Sequence, residues 1–199
     1  MTEDPNDTTL ATYEAAAGSY IERTSPSPPA MLAYLDRVAG LVGHGQLLEL
    51  GSGPGRDASY LERRGVQVTR SDATRAFVER LRAAGHHARL LDIRHDDLGG
   101  PYDAVLANAV LLHLSRDQFR HALRRVRRAV TPGGLLAMTL KEGDGEQWST
   151  VKLGRPRHFT YWREPALRHA LHDTGWAVTF LAHVPGRADQ WLHVIAVAA

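Results

Sequence analysis

The sequence predicts an α/β fold: a doubly wound, mostly parallel seven-stranded sheet with an antiparallel strand near one edge. Three observations predict it. From Gln46 onward, short apolar runs alternate with helix-like segments, the rhythm of strand–helix–strand units. The apolar runs lack clean polar alternation, as strands do when helices cover both faces. The last two runs, WAVTFLAHV and WLHVIAV, are separated only by PGRADQ, a connection of hairpin length that turns one strand antiparallel.

In order, Leu10 to Arg23 reads as a helix, which SPSPP at Ser25 to Pro29 interrupts. Ala30 to Val42 reads as a second, stopped by Gly43 and Gly45. Gln46 to Leu50 is a short strand that enters a glycine-rich turn before the helix Asp57 to Arg64. Gly65 stands where a helix C-terminus takes the left-handed conformation. Val66 to Arg70 is the next strand, followed by a helix ending at Gly85 and a strand at Ala88 to Leu91. YDAVLANAV follows a loop closing in GGP. Ser115 and Gln118 form a capping box for the helix running to Ala129. TPGG turns into the strand LLAMTLK. A long polar loop, the helix EPALRHALHD and the closing hairpin complete the chain.

The chain has 199 residues, 43% hydrophobic and 23% charged, which suits one globular domain with a sizeable core. The absence of cysteine excludes a disulfide framework, a thiol nucleophile and thiolate-ligated metal. The acidic, polar start MTEDPNDTT is the reverse of a signal peptide, and no apolar run reaches bilayer length, so a cytoplasmic location without a membrane partner is expected. A net charge of +2 is too mild to demand nucleic acid. Only Lys141 and Lys152 are lysine in an arginine-rich chain, which singles Lys141 out against the compositional bias.

The sharpest motif is LLELGSGPGRDASYL, Leu47 to Leu61. Its glycines permit a tight turn and let a ligand lie against bare amides near a helix N-terminus. Asp72 ends the second strand, and adjacent parallel strands lie about 5 Å apart, so its carboxylate stands beside the turn, where it can accept both ribose hydroxyls of a nucleoside. Asp92, at the third strand end, is placed to reach an adenine amino group. The spacing is GxGxG through Gly51, Gly53 and Gly55. The third dinucleotide glycine is replaced by Arg56. Glu49 adds negative charge that repels a pyrophosphate and welcomes a cation. S-adenosylmethionine, with its ammonium and sulfonium, fits that charge better than a nicotinamide dinucleotide.

With these features the chain resembles the class I S-adenosylmethionine-dependent methyltransferases, in the small-molecule group called type 11 or type 12. ELGSGPG resembles their first motif, SDAT (Ser71 to Thr74) the acidic end of strand two, and LDI (Leu91 to Ile93) the adenine-binding turn. YDAVLANAVLLHL resembles the strand-four motif with its trailing histidine, and VTPGGLL the turn before strand five. The resemblance covers residues 46–199 as a cofactor-binding core and implies a Rossmann-like methyltransferase fold. Residues 1–45 match the family's N-terminal helical lid, all within one domain. It implies that Gly51 and Gly53 hold the methionine part, Asp72 and Ala73 the ribose side, Asp92 and the Ile93 amide the adenine, and Asn108 the methionine tail. Arg70 and Ser71 depart from the apolar residues usual before Asp72.

Other residues admit two readings each. His113, after strand four, is either a general base or a half-buried packing histidine. Lys141, Glu142, Glu146, Arg157, His158, Phe159, Tyr161 and Trp162 form either a substrate wall, with Arg157 or Lys141 meeting an anionic group, or a solvated loop pinned by its aromatics. Tyr13 and Tyr20, seven apart, share a helix face that either closes over substrate and sulfonium or packs the lid. In LRRVRRAV, Phe119, Leu123, Val126 and Val130 keep helical spacing and leave the arginines on a solvated face. The expected reaction is direct displacement by an O, N or C nucleophile of a small organic molecule, with S-adenosylhomocysteine as product and no metal called for. An RNA or protein methyltransferase, or a non-methylating cofactor-binding protein or cyclase on the same scaffold, are the alternatives, and oligomeric state is left open.

Overall fold

The structure is a computed structural model, and it describes residues 4–199. Nine strands and six α-helices follow in the order α1 (Pro5–Glu22), α2 (Pro29–Val42), β1 (Gln46–Glu49), α3 (Arg56–Glu62), β2 (Gln67–Asp72), α4 (Arg75–Ala83), β3 (Ala88–Leu90) and β4 (Tyr102–Asn108). Then come a single 3-10 turn (Leu111–His113), α5 (Arg116–Ala129), β5 (Val130–Glu142), β6 (Glu146–Ser149), β7 (Arg157–Thr160), α6 (Glu164–His172), β8 (Trp176–Pro185) and β9 (Gln190–Ala198). The main sheet has the order β3-β2-β1-β4-β5-β9-β8. Its first five strands run parallel, and β9 pairs antiparallel with both β5 and β8. The order reverses between β1 and β4, the switch point at which open α/β sheets bind ligands.

Consecutive strand residues serve opposite faces. Leu47, Ala104, Leu106, Ala137 and Ile195 meet Leu35 and Val38 of α2, together with Leu61 of α3, on one face. Leu48, Val105, Ala107, Leu136 and Met138 meet Phe119, Leu123 and Val126 of α5, together with Leu167 and Leu171 of α6, on the other. A fully buried leucine contributes roughly 2 kcal/mol over an exposed one, so these two layers hold the sheet. Tyr34 fastens α2 to the sheet by donating to the Met138 and Val194 carbonyls at 3.2 and 2.7 Å. The Ser115–Gln118 capping box starts α5 as its sequence requires.

Three features differ from the sequence reading. The polar loop after β5 contains the hairpin of β6 and β7, a second two-stranded sheet. Glycines and Pro156 mask β7 in the sequence, yet all four of its residues are buried. β5 begins at Val130 and runs through TPGG, with its register to β4 slipping between Tyr102 and Ala104. Of the two helices expected in the lid, only α1 lies over the strand tips; α2 is a core helix. Arg70 and Ser71, the unusual pair before Asp72, are both buried and both hydrogen-bonded, although Arg70 Nε has no partner among the described residues. Arg70 forks onto Glu62 at 2.5 and 2.7 Å, and the Ser71 hydroxyl donates to the Glu49 carbonyl at 2.7 Å. Among the described residues no helix is long and apolar enough to cross a membrane.

Candidate active site

The chain leaves β1 through a turn built on positive φ angles: 65° at Gly51, 50° at Gly53 and 78° at Gly55. A Cβ on Gly51 would stand 2.4 Å from Val110 Cγ2, whereas one on Gly53 would meet only Tyr20, at 3.9 Å, across open space. The turn is tied to β2 at two levels. Ser52 N–H donates to the Ser71 carbonyl at 2.8 Å, and Gly53 N–H donates to Asp72 Oδ2 at 2.8 Å. Asp72 Oδ1 accepts the Thr74 amide at 2.8 Å. Burial raises the Asp72 carboxyl, and the two amides oppose it. Each oxygen keeps a lone pair free for a ligand hydroxyl.

Above this turn lies a cavity of about 770 Å³, measured to include its open mouth. Its wall includes ten of the residues singled out from sequence: Tyr13, Tyr20, Gly51, Gly53, Asp72, Ala73, Asp92, Ile93, Asn108 and His113. The sequence reading did not single out Leu50, Leu91 and Val110, which lie inside its motifs, nor Phe77 and the α1 residues Asn6, Thr9 and Leu10, which lie outside them.

Glu49 and Gly55 do not line the cavity. Gly55 is the left-handed residue before α3, where a Cβ would fall 2.7 Å from Leu81 Cδ2. Glu49 is buried beneath the turn, where burial, reinforced by Asp57, pushes its carboxyl up to about 8. It therefore stays protonated near neutral pH, and the carboxyl groups at the wall are those of Asp72 and Asp92. Two further assignments are constrained. Asp92 already accepts four contacts from Arg94, at 2.7 to 3.1 Å, which fills its carboxylate. Burial opposes ionisation there, but those bonds hold the carboxyl below its usual range. Asn108 donates to Asp57 at 2.6 Å and accepts from Thr139 at 2.6 Å, so its amide braces α3 against β5.

Arg94 also pairs with Asp4 and Asp7 at 2.8 Å each, clamping the start of α1 to the third strand tip. Farther along α1, Thr9 Oγ1 accepts the His158 amide at 2.9 Å and Thr12 donates to the Pro156 carbonyl at 2.7 Å. The helix thus bridges the cofactor side and the β6–β7 hairpin.

On the hairpin side a second chamber opens, sharing Tyr13, Tyr20, Ala109 and His113 with the first. Lys141, Arg157, Phe159 and Tyr161 line it as the sequence reading expected, joined by Trp148, Lys152, Asp189 and Trp191, which that reading did not single out. Their signal was absent because the hairpin and the β8–β9 turn converge only in space. Glu142, Glu146 and Trp162 are not in its wall. Glu142 accepts from His183 at 2.9 Å, Glu146 faces His158 at 3.3 Å, and Trp162 is fully buried against Phe119. Trp162 sits in the core because the parallel bridge at Glu142 turns its side chain inward.

A polar chain runs along the boundary between the chambers. His113 Nδ1 lies 2.6 Å from the His158 carbonyl, so that nitrogen carries the proton. Its Nε2, 3.0 Å from the Tyr13 hydroxyl, then accepts from it. Arg157 donates to the same hydroxyl at 3.3 Å. Burial drives His113 down to about 3, with Arg157 and His158 adding to the shift against the His158 hydrogen bond. Burial pushes the Tyr13 hydroxyl up to about 12, with Tyr20 adding and Arg157 opposing. His113 therefore remains neutral with its acceptor nitrogen filled, and it orients Tyr13. Next to this chain, Ala109 has a φ of 56°, an alanine held in the left-handed region. Strain of this kind concentrates at functional sites.

The first chamber fits an adenosine-bearing sulfonium donor. The open cradle over Gly53 leaves room beside bare backbone, Asp72 retains acceptor capacity, and Phe77, Leu91 and Ile93 offer an apolar seat for a base. A family model described as a methyltransferase domain matches residues 20–181. Malonyl-[acyl-carrier protein] O-methyltransferase of Salmonella typhimurium is 31% identical over 176 residues, 83% of this chain and 67% of that protein. Two solved structures share the fold at low identity. Burkholderia thailandensis 1,6-didemethyltoxoflavin-N1-methyltransferase superposes with a TM-score of 0.72 at 17% identity, covering 100% of this chain and 92% of that one. Magnesium protoporphyrin IX methyltransferase of Synechocystis gives 0.77 at 16% identity, covering 100% and 99%. The turn at the switch point, the acidic tip of β2 and these likenesses together place this chain in the class I S-adenosylmethionine-dependent methyltransferases.

Proposed function

We propose that this enzyme transfers a methyl group from S-adenosylmethionine to an oxygen, nitrogen or carbon nucleophile of a small organic molecule. The observation that carries this reading is the continuity of the two chambers across Tyr13, Tyr20, Ala109 and His113, which gives donor and acceptor one shared boundary. The bound donor supplies a methyl group activated by positively charged sulfur. Asp72 accepts the ribose hydroxyls, Gly51 and Gly53 give the methionine part close approach, and the Ile93 backbone with Phe77 and Leu91 takes the adenine. Tyr20 and Tyr13, whose rings meet edge-on at 5.5 Å, wall the transfer point with aromatic surface. His113 is a positioning residue that holds Tyr13 there. α1 covers the boundary and excludes water, so the protein works by alignment in a dry cavity.

Residues 46–199 and the covering helix act as one domain in this reading, and the chain works in the cytoplasm. Similar proteins named for small or carrier-borne acceptors support it. Three of the six α5 arginines are engaged within the protein, which lends no support to a nucleic-acid surface there: Arg116 lies over Trp162, and Arg125 and Arg127 donate to the Asp96 and Ala199 carbonyls. Titration calorimetry with S-adenosylhomocysteine and with a nicotinamide dinucleotide tests the cofactor, and transfer of labelled methyl to a metabolite pool tests turnover. Heat from the nicotinamide cofactor alone, or homocysteine-nucleoside binding with no methyl transfer to any small molecule, would sink the proposal.

A further inference from the structure

The outer chamber carries more positive charge than the protein neutralises. Arg157 is 7% exposed; among the described residues its Nε has no hydrogen-bond partner, its side chain makes one hydrogen bond, to the Tyr13 hydroxyl, and its guanidinium lies 5.1 Å from the centre of the Phe159 ring. Lys152 lies 4.0 Å above the Tyr20 ring and donates to the Thr24 hydroxyl at 3.0 Å. Among the described residues no carboxylate forms an ion pair with either. Burial, then repulsion from Arg157 and Arg56, brings the Lys152 ammonium down to about 8, as expected where cations crowd without a counter-charge. Lys141 differs: Asp189 pairs with it at 2.8 Å. A buried cation without a partner is costly, and such a group persists where a ligand completes it.

The rest of the wall says what kind of ligand. Trp148, Phe159, Tyr161 and Trp191 supply aromatic faces, and Trp148 remains 47% exposed despite its size. Arg157 and Lys152 belong to this chamber and not to the nucleoside cavity, so their missing anion sits on the acceptor side. We propose that the acceptor is a planar organic acid whose carboxylate seats on Arg157 and Lys152 while its ring lies among Trp148, Phe159, Tyr161 and Trp191. This deepens, and rests on, the assignment of the first chamber to the methyl donor.

The test uses the full chain saturated with S-adenosylhomocysteine and a panel of hydroxybenzoic and hydroxycinnamic acids, each matched with its primary amide. Calorimetry is expected to show acids binding at least tenfold tighter than their amides. Arg157→Met is expected to erase that preference and Lys152→Met to weaken it at least threefold, with affinity for S-adenosylhomocysteine held within twofold in both. Arg157→Met is also expected to raise the melting temperature of the ligand-free protein, because an uncompensated buried charge is gone. No acid binding, or amides binding as well as acids, overturns the proposal while leaving the cofactor site standing. A tenfold loss of S-adenosylhomocysteine affinity in Arg157→Met also overturns it, by assigning the guanidinium to the donor's own carboxylate. If the unmodified protein fails to bind S-adenosylhomocysteine, the cofactor reading itself falls and takes this one with it.

Discussion

Glu49→Gln isolates a pH dependence that the fold builds into the glycine turn. The Glu49 carboxyl is 3% exposed and rises from 4.5 to about 8, through burial first and the neighbouring Asp57 second. Above pH 4.5 the unfolded chain releases this proton while the folded chain keeps it, so the folded state binds more protons and loses stability as pH rises. The contribution is fully present below 4.5 and gone above about 8. At about 1.4 kcal/mol per pH unit, the full displacement amounts to about 5 kcal/mol, an upper limit once local relaxation is allowed. For a chain of this length that corresponds to a difference of about 10 to 20 °C in melting temperature. Glutamine keeps the shape and never ionises. Thermal unfolding from pH 4.5 to 9 should therefore give a variant curve that gains steadily on the unmodified protein toward the alkaline end. His113, held down to about 3, withdraws stability as pH falls below 6.5, but it does so equally in both proteins and cancels in the comparison. Parallel curves would refute the argument, because they would mean Glu49 is ionised in the folded state.

Asp72→Ala removes the acceptor for two buried amides and for the proposed ribose contact, so affinity for S-adenosylhomocysteine should fall at least tenfold by calorimetry; unchanged affinity contradicts the assignment. Tyr13→Phe leaves His113 Nε2 buried without a donor, at about 1 to 3 kcal/mol of stability, and should slow turnover about tenfold while S-adenosylhomocysteine binding stays within threefold. The rate–pH profile should show no His113 inflection between pH 5 and 8. A step near 6.5 that vanishes in His113→Asn would restore the general-base reading. Arg94→Ala removes the pairs that tie Asp4 and Asp7, at the start of α1, to Arg94 and Asp92 at the third strand tip, together worth about 1 to 2 kcal/mol after screening, so amides of residues 5–22 should exchange roughly five- to thirtyfold faster. Unaltered exchange would show that the helix is held by its other contacts.

Local patterns foretold local structure. The helix breaks at Gly43, Gly65, Gly85 and Gly175 fall where the sequence punctuates them, because a left-handed residue is a property of one position. The seven strands of the main sheet were legible, the five parallel ones as short apolar runs between helices and β8 and β9 as two runs joined by a hairpin-length connection. The hairpin of β6 and β7 was not, since Trp148 and Glu146 on its outer strand and the prolines around β7 give no period-two signal. The same limit applies to the site. Asp72 was readable because it ends a strand adjacent to the turn, and strand spacing fixes their distance. Glu49 was assigned by its motif position, but burial decides its charge.

From sequence alone came the strand–helix alternation, the glycine turn, the acid at the tip of β2 and with them the family and its donor. These follow from backbone conformation and short-range spacing, which a linear string encodes. Only the tertiary structure decided which charges survive. Asp92 is consumed by Arg94, Lys141 by Asp189, and His113 is filled by Tyr13, while among the described residues Arg157 and Lys152 have no carboxylate partner. Pairing and desolvation depend on groups distant in sequence meeting away from water, and no local pattern records that meeting.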